Sequence, residues 1–139
     1  MYQNPKEVYL KNWVENASPV EIVIALYKKM EELLDEIIKL YNEEGKCTNP
    51  SQESYLNKRV EEILLYLNST INYRDGKDVA KTLNQFYLIC LRQLDQAIAK
   101  QDVNLYKDLK EAIAEMRDAW EQVLQKTRPG ANAEDRPSE

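Results

Sequence analysis

The segment Asp78-Val79-Ala80-Lys81-Thr82-Leu83-Asn84-Gln85-Phe86-Tyr87-Leu88-Ile89-Cys90-Leu91-Arg92-Gln93-Leu94-Asp95-Gln96-Ala97-Ile98-Ala99-Lys100 carries an apolar residue at every third or fourth position. Val79, Leu83, Phe86, Cys90, Leu94 and Ala97 thereby fall on one face of a helix. From Phe86 to Leu91 six consecutive residues are apolar, so the middle of this helix is hydrophobic on every side. A helix of that kind is expected to need neighbours nearly all round. The other periodic segments must supply them.

Upstream, Ser18-Pro19-Val20-Glu21 reads as a helix start. Ser18 can cap, Pro19 suits the first helical position, and Glu21 can reach back to complete a capping box. This helix is expected to run to about Glu44 and stop at Gly45. Its main stripe is Val23, Leu26, Tyr27, Met30, Leu33, Leu34, Ile37 and Tyr41, with Val20, Ile24 and Ile38 on one flank. The apolar arc covers roughly 200°, well beyond that of an ordinary core-facing helix. Either two neighbours wedge it, or one flank faces a groove.

Asn49-Pro50 marks the next helix start, with Leu56, Val60, Ile63, Leu64, Leu67 and Ile71 on the stripe and an end expected near Asn72. Arg74-Asp75-Gly76-Lys77 reads as a turn. After the central helix, Gln101-Asp102 is a break, and Asp102 caps a last helix with Leu105, Tyr106, Leu109, Ile113, Met116, Trp120 and Val123. Short connections between long helices place sequence neighbours antiparallel. The expected fold is all-α: an antiparallel up-down four-helix bundle with a short N-terminal helical segment over residues 2–16. Residues 1–126 read as one domain, and the polar run 127–139 as a disordered tail.

Composition narrows the function. With 31% charged and 43% hydrophobic residues, and only three glycines in 139, the chain has a helical protein's composition. A net charge of −5 argues against nucleic acid or an anionic membrane as main partner. No window approaches a membrane span of about 20 apolar residues. The opening Met1-Tyr2-Gln3-Asn4-Pro5 has neither region of a signal peptide, so a cytoplasmic location is expected. Cys47 and Cys90 are the only cysteines: Cys90 reads as a small buried hydrophobe, Cys47 as a free thiol in a polar connection.

Chemistry is sparse. The chain has no histidine, which removes the usual general base and the commonest metal ligand, and with them a di-iron bundle site. The carboxylate pairs Glu31-Glu32, Asp35-Glu36, Glu43-Glu44 and Glu61-Glu62 read as solvated outer faces. No phosphate loop or nucleophile motif is present. No catalytic, cofactor or metal site is expected, and the chain does not read as an enzyme. Nine tyrosines and two tryptophans, however, suit surfaces that are sometimes wet and sometimes covered. The residues alone point to a helical binding protein.

Three ordered stretches sharpen that reading: Ala17-Ser18-Pro19-Val20-Glu21-Ile22-Val23-Ile24-Ala25-Leu26-Tyr27; Leu67-Asn68 followed by Gly76-Lys77-Asp78-Val79-Ala80-Lys81-Thr82-Leu83-Asn84-Gln85-Phe86-Tyr87; and Met116-Arg117-Asp118-Ala119-Trp120. Together with an Asn4-Pro5 opening followed by Tyr9, they resemble the FliS family of flagellar secretion chaperones. The resemblance implies a bundle that binds the disordered C-terminal segment of flagellin in the cytoplasm. It also implies that this binding prevents early polymerisation and keeps flagellin ready for flagellar type III export. The export apparatus or a co-chaperone is a further possible partner. Ile24, Tyr27, Leu83, Tyr87 and Trp120 are then candidates for the partner groove, with plain core as their alternative role. Tyr2, Val8 and Tyr9 are candidates for a segment that covers it. A non-export adaptor, or a bundle that self-associates through another amphipathic helix, is the competing reading.

Overall fold

The structure, a computed structural model, describes residues 19–127. They form four helices, α1 (Pro19–Lys39), α2 (Pro50–Ser69), α3 (Tyr73–Lys100) and α4 (Val103–Thr127). The chain is thus all-helical as expected. The segment 2–16 with Tyr2, Val8 and Tyr9, the Ser18 cap and the tail after 127 lie outside the described residues.

Cross-helix pairs give the arrangement. Along α1 the residues Lys28, Glu31 and Asp35 meet Glu121, Arg117 and Lys110 of α4, so these helices run in opposite directions. Glu53 and Asn57 of α2 meet Gln101 and the Leu94 carbonyl, so α2 and α3 also oppose each other. Each helix packs on its two chain or ring neighbours: α1 on α2 and α4, α3 on α2 and α4. The core between them holds Tyr27, Met30, Leu33, Leu34 and Ile37 from α1, and Val60, Leu64 and Leu67 from α2. Tyr87, Cys90 and Leu94 join them from α3, and Tyr106, Leu109 and Ile113 from α4. Each such aliphatic side chain stabilises by about 1.5–3 kcal/mol when fully buried. Burial pushes the Cys90 thiol up to about 12, which suits its place as a small core hydrophobe.

Several boundaries differ from the sequence expectation. Helix α1 ends at Lys39, not near Glu44. The Asn42 side chain accepts from the amides of Glu44 and Lys46, both at 3.0 Å, and Gly45 takes φ 79°. That local bonding turns the chain back, so that Tyr41 pairs with Cys47 and the Thr48 amide reaches the Leu40 carbonyl at 2.7 Å. Helix α2 starts where expected, with Asn49 accepting from the Gln52 amide. It ends at Ser69, because the Thr70 amide and hydroxyl both fold back on the Leu67 carbonyl.

In α3 the expected turn is concentrated at Lys77, which has φ 47° and ψ −116° inside an otherwise helical run. The break resets the phase of the helix. Ala80 and Tyr87 therefore face the core, whereas Val79 is 64% exposed and Phe86 is only half-buried. Nor is α3 surrounded. Its two short links hold it between α2 and α4, with α1 across the bundle, and its outer side leaves Leu88 46% and Ile89 56% exposed. The carboxylates differ too: Glu31 is not simply solvated but is clamped by Arg117, and Asp35 bonds Lys110 and Lys39, each at 3.1 Å. Lys110, then Lys39, hold the Asp35 carboxyl below the usual range, while Glu31 and Glu121 favour the charged Arg117 guanidinium.

The end of the bundle at the α1–α2 connection is closed by a polar cluster. Glu53, 1% exposed, accepts from the Tyr41 hydroxyl at 2.5 Å, the Tyr106 hydroxyl at 2.9 Å and the Gln101 amide at 2.8 Å. Asn57 donates to the Tyr106 hydroxyl and to the Leu94 carbonyl, so the cluster extends into the core.

Candidate functional site

Among the described residues, the opposite end is open. There the start of α1, the end of α2, the start of α3 and the end of α4 leave a groove of about 520 Å³. Pro19, Val20, Ile22, Val23 and Leu26 form its α1 wall. Leu67 and Ile71 face them from α2 and the 70–72 link, and Val79, Ala80 and Leu83 from α3. Trp120 closes the α4 side. The gap exists because the residues at the crossing of α2 and α3 are small. Thr70, Gly76 and Ala80 leave space, and a Cβ on Gly76 would meet the Ala80 Cβ at 3.0 Å. The helix-opening residues of α1 are large and apolar but are only partly buried against the other helix ends. Such a concave, apolar, solvent-open surface suits the hydrophobic face of another helix.

Beneath the groove lies a pair of phenols. The Tyr27 hydroxyl donates to the Tyr87 hydroxyl at 2.8 Å, with the rings edge to face at 6.3 Å. Burial is the main cause that pushes both phenols upward. The Trp120 indole N–H lies near the Tyr27 hydroxyl and favours its ionised form, but finds no acceptor at hydrogen-bond distance among the described residues. Nothing in this set is arranged for proton transfer or nucleophilic attack. Among the described residues no group of three potential ligands could hold a metal ion. No helix among them is long and apolar enough to cross a membrane.

The five groove candidates divide. Leu83, Tyr87 and Trp120 come together in the lining of the groove. Tyr27 is fully buried and bonds the groove-lining Tyr87. Ile24 lies elsewhere. It stands one and two helical turns before Lys28 and Glu31, is 6% exposed, and is not part of the groove lining. Tyr27 belongs to the buried core cluster, and Ile24 is buried outside it. Ile22, off the expected stripe of α1, and Val79, on the expected core face of α3, both line the groove. The signal that could have found them is the run of small residues at Gly76 and Ala80, opposite the large apolar residues that begin α1.

The chain matches the family model described as "Flagellar protein FliS" over residues 1–127. It is 32% identical over 120 residues to a protein of Vibrio cholerae serotype O1 named "Flagellar secretion chaperone FliS", across 85% of this chain and 84% of that one. A Bacillus subtilis (strain 168) protein of the same name is 28% identical over 129 residues, 91% of this chain and 90% of the relative.

Proposed function

Given that the chain belongs to the FliS family of flagellar secretion chaperones, we propose that its cargo is flagellin and that its groove takes flagellin's C-terminal segment. The observation that carries this is the groove itself: four helix ends wall an apolar trough that is open in the described chain. A segment that is disordered when free but amphipathic can fold as a helix with its apolar face in such a trough. Folding on binding gives up about 2–5 kcal/mol or more of the gross interaction, so the contact extends beyond one pocket. Held in this way in the cytoplasm, the segment cannot polymerise and stays unfolded enough for type III export. Release requires no chemistry by the chaperone.

Pro19 lines the groove, and residues 2–16 end two residues before it. Tyr2, Val8 and Tyr9 are proposed to cover the trough until cargo displaces them. Titration calorimetry with a peptide of flagellin's last ~40 residues tests the reading, with a Kd below about 10 µM expected. Absence of binding at that level defeats it. Deleting residues 1–12 is expected to raise the association rate, and an unchanged rate and affinity would remove the covering role. The competing reading, self-association or another helix partner, is favoured by the exposed Leu88 and Ile89 on α3. It predicts concentration-dependent sedimentation and indifference to the flagellin peptide.

A further inference from the structure

The outer side of α3 carries charges that the bundle does not answer. Along the α1–α4 seam, Lys28, Glu31 and Asp35 each meet an opposite charge on the antiparallel helix. On α3, Asp78, Lys81, Arg92, Asp95 and Lys100 are exposed, and none of them has an ion-pair partner among the described residues. Gln85, Leu88, Ile89 and Arg92 follow one another at helical spacing on this side, with Leu88 46% and Ile89 56% exposed. Lys81, Leu88 and Asp95 recur every seven residues and so share nearly one face. Outward from the midpoint between Leu88 and Ile89, the charges mirror with inverted sign. Lys81 on one side is mirrored by Asp95 on the other, about 10 Å out, and Asp78 by Lys100, about 16 Å out.

We propose that this face docks a second copy of the chain, the two α3 helices lying antiparallel about the Leu88–Ile89 midpoint. A two-fold pairing brings each residue to the mirror position of the other copy. Lys81 then meets the second copy's Asp95, and Asp78 its Lys100, each contact occurring twice. Gln85 meets Arg92, whose guanidinium can donate to the amide oxygen. A parallel pairing would set every charge against its own kind. Exposed ion pairs add little attraction, so the charges set direction and register while Leu88 and Ile89 supply the burial. One helix face is a small contact, so the dimer is reversible, with a Kd on the order of 10–100 µM. Neither Leu88 nor Ile89 lines the groove. Pairing here is therefore additional to cargo binding, not its alternative, and does not rest on it.

The test is sedimentation of the full chain from about 1 to 500 µM, a range that brackets that Kd. The mass is expected to rise from 16.3 kDa towards twice that value. Lys81→Glu sets like charges across the seam twice and is expected to weaken the dimer about tenfold, as is Asp95→Lys. Lys81→Glu combined with Asp95→Lys inverts both signs and is expected to restore the dimer to within about threefold of the unaltered chain. Leu88→Asp is expected to leave a monomer of unchanged helicity that binds the flagellin peptide as the unaltered chain does. An unaltered chain that stays monomeric overturns the inference, whatever other partner it binds. So does a dimer that the single reversals leave intact, or one that the double reversal fails to restore. Peptide affinity lost with Leu88→Asp overturns it too, by placing this face in the cargo contact. Failure of the peptide to bind the unaltered chain defeats the proposed cargo alone, because sedimentation decides the pairing.

Discussion

At the scale of single residues, Glu53 carries the largest local risk in the fold. A carboxylate at 1% exposure loses several kcal/mol of hydration. Three neutral donors, from Tyr41, Gln101 and Tyr106, replace that water. Glu53→Ala would strand the buried Tyr106 hydroxyl and remove a partner from Tyr41 and Gln101, and a loss on the order of 3 kcal/mol is expected, read as a lower urea midpoint. Tyr106→Phe removes one donor and the acceptor for Asn57, and is expected to cost about half as much. The buried phenols set a pH limit. Burial raises Tyr27, Tyr41, Tyr87 and Tyr106 above the unfolded value of about 10. Groups raised in the folded state stabilise it fully below the unfolded pKa and lose that contribution as pH climbs through the folded one. The urea midpoint is thus expected to fall steadily above about pH 10, with tyrosinate absorbance from these four appearing together with unfolding. Ionisation of all four ahead of any loss of helix would contradict their burial.

At the scale of the elements, helix breaks separate what can be read in a sequence from what cannot. Asn49-Pro50 and Gln101-Asp102 act through side-chain bonds to the nearest amides: Asn49 accepts from Gln52, and Asp102 from Asn104 at 2.9 Å. Such signals are local and legible. The end of α1 is not, because Tyr41 is as good a stripe residue as Ile37. It leaves the helix only because Asn42, Gly45 and the distant Glu53 together offer it a better place. The phase of α3 is equally hidden. Nothing in Gly76-Lys77-Asp78 announces that Lys77 rather than Gly76 takes the positive φ, yet that choice exposes Val79 and buries Ala80. A side chain at φ 47° is strained, and Lys77→Gly is expected to raise stability by about 1 kcal/mol in urea melts. Gln101, at φ 51°, offers no such gain, because its side chain holds Glu53. A destabilised Lys77→Gly variant would show that the strain is not there.

At the scale of the whole molecule, the two ends of one bundle have opposite characters. The helical stripes made the core and the four-helix topology legible. The groove was only partly so, since it is a property of four helix ends meeting and of the small residues between them. Leu83, Tyr87 and Trp120 sit on strong stripes and line the groove, whereas Ile24 is buried outside that lining. Val79 offers the cleanest separation of folding from binding. At 64% exposure on the groove wall, Val79→Asp is expected to change stability by no more than about 0.5 kcal/mol while weakening the flagellin peptide at least about tenfold. Equal affinity with the peptide would place the contact elsewhere. The Glu53 cluster has a kinetic counterpart. Tied to Tyr41, Gln101 and Tyr106, the closed end is expected to open only when the whole bundle does, while the trough end is lined mainly by apolar side chains. Amide hydrogens near Val60 and Leu94 should therefore exchange only through global unfolding, and those near Val23 and Leu83 through local opening. A cargo helix in the trough should slow the second set and leave the first untouched, a protection gradient running from one pole of the bundle to the other.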